Sequence, residues 1–236
     1  MDHSAPHHTV SPRVLAVSEP ELIDALSQVA GDLLAVRMRQ GHHRVMIGVC
    51  GAPGAGKSTV AAALAQSLSQ QGHSAVVFPM DGFHLAQSQL AALGLTSVKG
   101  APATFDAHGF VALLRRVHGA THPVYAPVFH RDLEESFAAD LCIPPTTQVV
   151  IVEGNYLLLD EEPWAHVRDI LDATWALCLP QEVRQERLIA RHTAYGKEPV
   201  AARAWALGSD EVNAELINQS VRRADLLVEV APPDHY

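Results

Sequence analysis

Residues 44 to 59 read RVMIGVCGAPGAGKST, a short apolar run that ends in a glycine-rich turn, a lysine and two hydroxyls. No other stretch narrows the possible folds so far. Val45, Met46, Ile47, Gly48, Val49 and Cys50 form a charge-free run, short enough for a strand buried on both faces at the centre of a parallel sheet. Gly51, Gly54 and Gly56 let the backbone take conformations closed to residues with a Cβ, so that successive N–H groups can converge on one anion. Ala52, Pro53 and Ala55 complete the turn. Lys57 would reach the β- and γ-phosphates of a nucleotide, and Ser58 would offer its hydroxyl to Mg²⁺, with Thr59 extending the hydroxyl pair. The helix that starts there would point its positive end at the same place. The pattern G-x-x-x-x-G-K-[ST] does arise by chance, but here a strand pattern stands before it and an alanine-rich amphipathic stretch, Val60 to Gln71, after it. That is the context the motif requires. Lys57 is expected to sit exposed in the loop, against phosphate and not core.

The rest of the composition bounds the setting. In 236 residues, 48% hydrophobic, no apolar run approaches the ~20 residues of a membrane span, so a soluble globular chain is expected. The first residues, MDHSAPHHTVSPRV, lack the basic-then-apolar order of a secretory signal; residues 1–18 read as a polar tail, and the cytoplasm as the compartment. A formal net charge of −9 argues against nonspecific binding to nucleic acid or to an anionic membrane, so the phosphate site has to be a local exception. Cys50, Cys142 and Cys178 lack C-x-x-C spacing and are expected in core packing, not in a disulfide or zinc site. His3, His7, His8, His42 and His43 fall in polar stretches without metal-motif spacing and read as solvated surface.

Taken in order, residues 19–40 have helical spacing at Leu22, Ile23, Leu26, Val29, Leu33, Leu34 and Val36, with Ser18 as N-cap and Gly41 as terminator. Ser74 to Met80 reads as a second strand that runs into Asp81-Gly82-Phe83-His84. An acid at the carboxyl end of such a strand either faces a ligand or caps the next helix. Residues 85–93 look helical, and 94–106 form a loop long enough to suspect a function. A helix over 107–117 and a short strand, Val124 to Phe129, follow. HRDLEESFAADLCIPP then reads as a polar excursion from the sheet. Gln148 to Val152 resumes it and places Glu153 at a strand terminus, where a phosphate-loop enzyme holds the acid of its metal site. Beyond a short helix at 163–171 and a buried strand at 173–179, the helix 181–191 carries Arg184, Arg187 and Arg191. Arg187 and Arg191 are four apart and so share one helix face, the plain alternative being a solvated cationic face partly paired with Glu182 and Glu186. Gly196 and Pro199 break the chain, Asp210 to Arg223 resumes as helix, and Leu226 to Val230 is the last strand. The alternation of strand and helix implies a parallel α/β sheet.

GAPGAGKST, FPMDGFH, KGAPATFD, PVY, VIVEGNYLLL, ERLIARH and GSDEVNAELI, in this order, resemble the uridine kinase and pantothenate kinase group of phosphate-loop kinases. The likeness is nearest to the nucleoside/nucleotide kinase-like branch that includes sugar-transport-associated kinases. It implies one kinase domain over 19–236, a parallel β-sheet flanked by helices with a lid helix and an acceptor-site insert. ATP and Mg²⁺ are the implied cofactors, and a small molecule with a hydroxyl (nucleoside, pantothenate-like or sugar) is the implied acceptor. By the same resemblance Asp81 is the catalytic base, Glu153 joins Ser58 at the metal, and Arg187 and Arg191 belong to the lid beside Lys57. Tyr125 and His130 match the spacing of a tyrosine and a histidine near the base pocket of uridine kinases, although relatives in the nearer branch tend to have an aspartate in place of His130. His84, Phe105, Arg131, Asn155 and Tyr156 complete the expected substrate-binding set. The rival reading is a nucleotide-dependent regulatory ATPase acting on a protein partner; no N-K-x-D element for guanine supports it. Oligomeric state, a homodimer included, is left open.

Overall fold

The structure, a computed structural model, describes residues 11–231. His3, His7 and His8 lie outside the described residues, and His42 and His43 are exposed. Six strands form one sheet in the order β1-β8-β7-β2-β6-β3, with every pair parallel. They are β1 (Arg13–Ser18), β2 (Val45–Cys50), β3 (Ala75–Pro79), β6 (Val149–Glu153), β7 (Ala173–Cys178) and β8 (Leu226–Ala231). Strand β2 is buried at every position, as its charge-free run requires.

Because side chains alternate along a strand, β2 feeds two cores. Val45, Ile47 and Val49 pack with Leu26, Leu34, Leu64 and Leu68 of α1 (Leu22–Arg39) and α2 (Lys57–Gln70). Met46 and Cys50 pack on the other face with Phe110 and Leu114 of α4 (Ala107–His118) and Val167 of α5 (Ala165–Ile170). Gly48, between them, is closely packed: a Cβ there would stand 2.6 Å from the end of the Leu171 side chain, which would have to move.

The amino edge of the sheet is tied by side chains. Asp172 accepts from the Met46 amide at 2.8 Å and is paired with Arg37. Asp225 accepts from both the amide and the hydroxyl of Thr174 at 2.8 Å. Arg44, buried just before β2, donates to the carbonyls of Thr147, Val117, Pro144 and Pro145. These groups satisfy the loops that enter the strands, and the carboxyl edge is left for chemistry.

Four expectations need correction. Residues 13–18 are not tail: they form edge strand β1, whose partner β8 lies at the far end of the chain, beyond the reach of a local reading. The strand expected at Val124–Phe129 does not join the parallel sheet: it pairs with the polar stretch after it, which does leave the sheet as expected, in a separate antiparallel hairpin of β4 (Val124–His130) and β5 (Glu135–Ile143), with a register shift around Pro127. Pro199 does not break the chain; it occupies the first turn of α7 (Pro199–Leu207), where a missing N–H costs nothing. Cys142 is exposed, Cys178 is half-buried, and of the three cysteines only Cys50 lies in the core. The remaining helices are α3 (Gln87–Leu93), α6 (Gln181–Ala194) and α8 (Ser209–Ser220).

Arg44→Ala should lower the unfolding free energy by about 2–4 kcal/mol, since four carbonyls lose a charged donor. Urea denaturation reads this directly, and a change below ~0.5 kcal/mol would mean the carbonyls find other partners.

Candidate functional site

The loop between β2 and α2 is shaped by close backbone approach as much as by turn conformation. Gly54 and Gly56 have φ of +83° and +84°, the left-handed region that favours glycine. A Cβ on Gly54 would also stand 2.5 Å from the Arg184 carbonyl oxygen. Helix α2 begins at Lys57 directly after Gly56, which aims its unpaired amides and positive end into the space above the loop. Contrary to expectation, Lys57 is buried, at 9% exposure, and its Nζ donates to the Ala52 carbonyl at 3.1 Å. Burial pushes its pKa down to about 8, against the opposing pull of the Glu153 and Asp81 charges.

Two carboxylates face that lysine, and strand register puts them there. Glu153 pairs across β6 with Val49 of β2 on one side and Pro79 of β3 on the other, so three strands end together. It is 6% exposed. Burial first, then the charge of Asp81, holds its carboxyl well above the usual range, while Lys57 and the Ser58 hydroxyl pull it back. Asp81 follows β3 in a 3-10 turn, Met80–Phe83. The next residue is glycine because a Cβ on Gly82 would lie 2.2 Å from the Pro127 carbonyl oxygen of β4. The hairpin therefore docks backbone to backbone on this turn, and Arg131 at its tip donates to Asp81 Oδ2 at 2.8 Å.

These groups line one cavity of about 770 Å³ that runs from Pro53, Gly54 and Gly56 past Lys57, Ser58 and Thr59 to Asp81 and Glu153. His84, Phe105, Arg131, Asn155 and Arg191 also line it. The His84 ring packs against Phe105 and Phe129, with centroids at 4.0 and 4.8 Å, and burial lowers its pKa. Tyr156 is buried beneath the cavity wall and donates to the Gly100 carbonyl. Tyr125 and His130 are not brought to the cavity: Tyr125 is exposed on β4, and His130 pairs with Asp140 at 2.7 Å on the hairpin. Their spacing matches a motif, but β4 turns them away. Arg187 pairs with Glu19 at 3.2 Å, outside the lining, although its guanidinium lies close to Gly56.

Sequence reasoning passed over several residues that matter here. Arg184 is no part of a solvated cationic face. It is 3% exposed on its side chain, donates to the Pro53 carbonyl at 3.1 Å, and holds both oxygens of Glu211 at 3.0 and 2.9 Å. Helix α6 thereby clamps the phosphate loop to α8. Lys99 lines the cavity, 2.8 Å from Glu134 and over the Phe129 ring. His192, Asp210 and Asn213 line it from α6 and α8. The stretches KGAP and GSDEVNAELI carried the available signal, but no local pattern shows which of their side chains face inward.

A model of the "Phosphoribulokinase / Uridine kinase family" matches residues 46–235. The chain belongs to this family. Among its relatives, the protein YggC of Escherichia coli is 34% identical over 209 residues, 86% of this chain and 85% of that one. A candidate uridine kinase of Schizosaccharomyces pombe is 35% identical over 169 residues, 69% of this chain and 72% of that one. The crystal structure of a candidate fructose transport system kinase from Silicibacter sp. TM1040 superposes with a TM-score of 0.80 at 38% identity, covering 87% of this chain and 98% of that one. Membership of the phosphoribulokinase/uridine kinase family implies ATP binding, usually with Mg²⁺. Among the described residues of this family member, no helix is long and apolar enough to cross a membrane.

The two arginines of α6 should separate in experiment. Arg184→Ala removes one partner of a buried pair and should cost about 3–5 kcal/mol of stability. Arg191→Ala, at the cavity surface, should stay within about 1 kcal/mol of the parent in the same chemical unfolding assay.

Proposed function

We propose that the protein is an ATP-dependent kinase that transfers the γ-phosphoryl group to a hydroxyl of a small molecule. The observation that carries this reading is the placement of Asp81. It shares one cavity with the phosphate loop, Lys57 and Glu153, and it opens on the other side to a pocket walled by His84, Phe105 and Phe129. A nucleotide-binding regulatory ATPase has no evident need for such a pocket. In our reading the acceptor is a nucleoside or a sugar, which the names of two relatives, a candidate uridine kinase and a candidate fructose transport system kinase, support.

The residues also fit Mg²⁺. Ser58, Glu153 and Asp81 supply hard oxygen donors, and the like charges of Glu153 and Asp81 in a buried site favour a cation beside them. Ser58 and Glu153 would hold the ion, which when bound would offset phosphate charge. In our reading the amides of the loop and of the first turn of α2 bind the β- and γ-phosphates together with Lys57. Arg191 faces the same space and stabilises charge that develops on the transferred group; Arg187 reaches the outer side of the loop when its exposed pair with Glu19 opens.

Asp81 then acts as the base. Arg131 engages Oδ2 and fixes the carboxylate, while Oδ1 has no partner among the described residues. The acceptor hydroxyl gives its proton to Asp81 as its oxygen bonds to the γ-phosphorus; the bond from that phosphorus to the bridging oxygen breaks, and ADP leaves. Phosphoryl transfer needs positioning and charge compensation more than covalent help, and a carboxylate base suffices for a proton that moves late.

Asp81→Asn should cut acceptor phosphorylation ~10²-fold or more, while calorimetry finds Mg·ATP affinity within ~3-fold of the parent. If asparagine keeps the activity, Asp81 only supports its turn. Arg191→Ala should lower kcat more than it weakens ATP binding; a collapse of ATP affinity at unchanged kcat would assign it to ground-state binding instead.

A further inference from the structure

Helix α6 lies along the phosphate loop, and its contacts locate each of its turns. The Arg184 carbonyl oxygen and Leu188 Cγ stand 2.5 and 2.9 Å from the place a Cβ on Gly54 would take, and Arg187 Nη1 stands 3.5 Å from that of Gly56. Arg191 follows Arg187 by four residues and His192 follows Leu188 by four, so each continues a row that already touches the loop. Both line the cavity with Lys57, Ser58 and Thr59. Arg191 has a part in the transfer described above. His192 has none.

The His192 ring is held from behind. Its Nε2 lies 2.7 Å from Asp210 Oδ2, in a pair whose side chains are 16% and 14% exposed. Asp210 stands in the first turn of α8, and the next residue, Glu211, holds Arg184 and Gln185 of α6. The two helices are therefore already joined two turns before His192. A carboxylate only accepts, so Nε2 bears a hydrogen and Nδ1 carries either a lone pair or a proton. Nδ1 has no hydrogen-bond partner among the described residues. With a lone pair it would repel a phosphate oxygen; with a proton it would donate to one, while Asp210 offsets the charge of the ring.

Other charged and titratable groups surround this pair. Arg191 and Tyr195 are on α6 itself, and Glu211 of α8 is taken by Arg184. Lys197 lies over the Trp205 ring at 4.5 Å, and Glu198 and Arg203, at α7, are exposed. Elsewhere in the lining stand Lys57, Asp81 and Glu153. Burial lowers the pKa of Lys57 to about 8 and raises that of Glu153, so these two also exchange protons when a nucleotide and its metal ion bind. Among the described residues, Asp210 is the acid that pairs with His192.

We propose that His192, held by Asp210, is a phosphate-binding group recruited by protonation: Nδ1 takes a proton from solvent as Mg·ATP binds, and N–H then donates to a polyphosphate oxygen. A proton gained with the ligand means that the His192 pKa is raised in the complex. Its contribution to affinity is thus present at low pH and is lost as pH rises through that raised value. This inference rests on the kinase reading above.

Calorimetry of Mg·ATP binding to the full chain across pH tests it. His192→Gln should weaken binding ~10-fold or more at about pH 6.5 and less than ~3-fold at about pH 9, where the parent ring is neutral as well. At about pH 8, titration in two buffers of different ionisation enthalpy should show the parent taking up more protons than His192→Gln; Lys57 and Glu153 contribute equally to both and cancel. Asp210→Asn keeps an acceptor for Nε2 but removes the charge, so its tight binding should end at a pH lower by about one unit. It also serves if His192→Gln unfolds, with thermal unfolding in the absence of nucleotide as the check. A loss that is the same at every pH, or equal proton uptake in parent and variant, makes His192 a plain tie between α6 and α8. Either result overturns this inference and leaves the kinase reading standing. If the parent chain binds no Mg·ATP, both fall.

Discussion

The site depends on the parallel register of β6 between β2 and β3. Parallel strands hydrogen-bonded in register end at the same edge, and here Val49, Glu153 and Pro79 lie side by side at that edge. From this one alignment the phosphate loop, Glu153 and the turn bearing Asp81 leave the sheet within reach of each other. Ligand sites in open parallel sheets gather at the carboxyl ends of strands for this reason. The amino edge is closed by Asp172, Asp225 and Arg44, each bonding backbone groups that would otherwise be left unpaired.

Around that edge, precision comes from places where backbone meets backbone without room for a side chain. Gly54 lies under the carbonyl of Arg184, and Gly82 under that of Pro127. The first contact sets α6 on the phosphate loop, and the buried Arg184–Glu211 pair extends it to α8. The second sets the β4–β5 hairpin on the Asp81 turn, and Arg131 completes it. Each glycine thus joins an outer element to the rim of the cavity. The hairpin and α8 both line one cavity although neither belongs to the sheet.

Electrostatics adds tension to this geometry. Lys57, Glu153 and Asp81 line one cavity, and burial disfavours the charged form of both Lys57 and Glu153. Mg²⁺ and a polyphosphate would supply the countercharges that the protein alone does not, so the proposed ligands would relieve a cost already present in the fold. In a chain of net charge −9, the cavity still brings Lys57, Lys99, Arg131, Arg191 and Lys197 into one lining.

How much of this was legible beforehand follows from the range of each interaction. The strand, loop and helix around Lys57 are local, and periodicity with three glycines is enough to read them; Asp81 and Glu153 could be noticed as acids at strand ends because strand ends are also local. Pairing across the chain is not, so β1 looked like tail, and the hairpin was lost in a polar stretch. Burial is no more local: Lys57 was expected exposed and is covered, and Arg184 looked like one of three solvated arginines until Glu211 and Pro53 were seen to close on it. Tyr125 and His130 kept a motif's spacing, but β4 directs them away from the cavity. By itself the sequence determined the phosphate loop, the α/β class and which acids stand at strand ends, since those depend on neighbours along the chain. Only the tertiary structure decided which side chains meet in the cavity, because strand register and helix docking join residues that no local pattern connects.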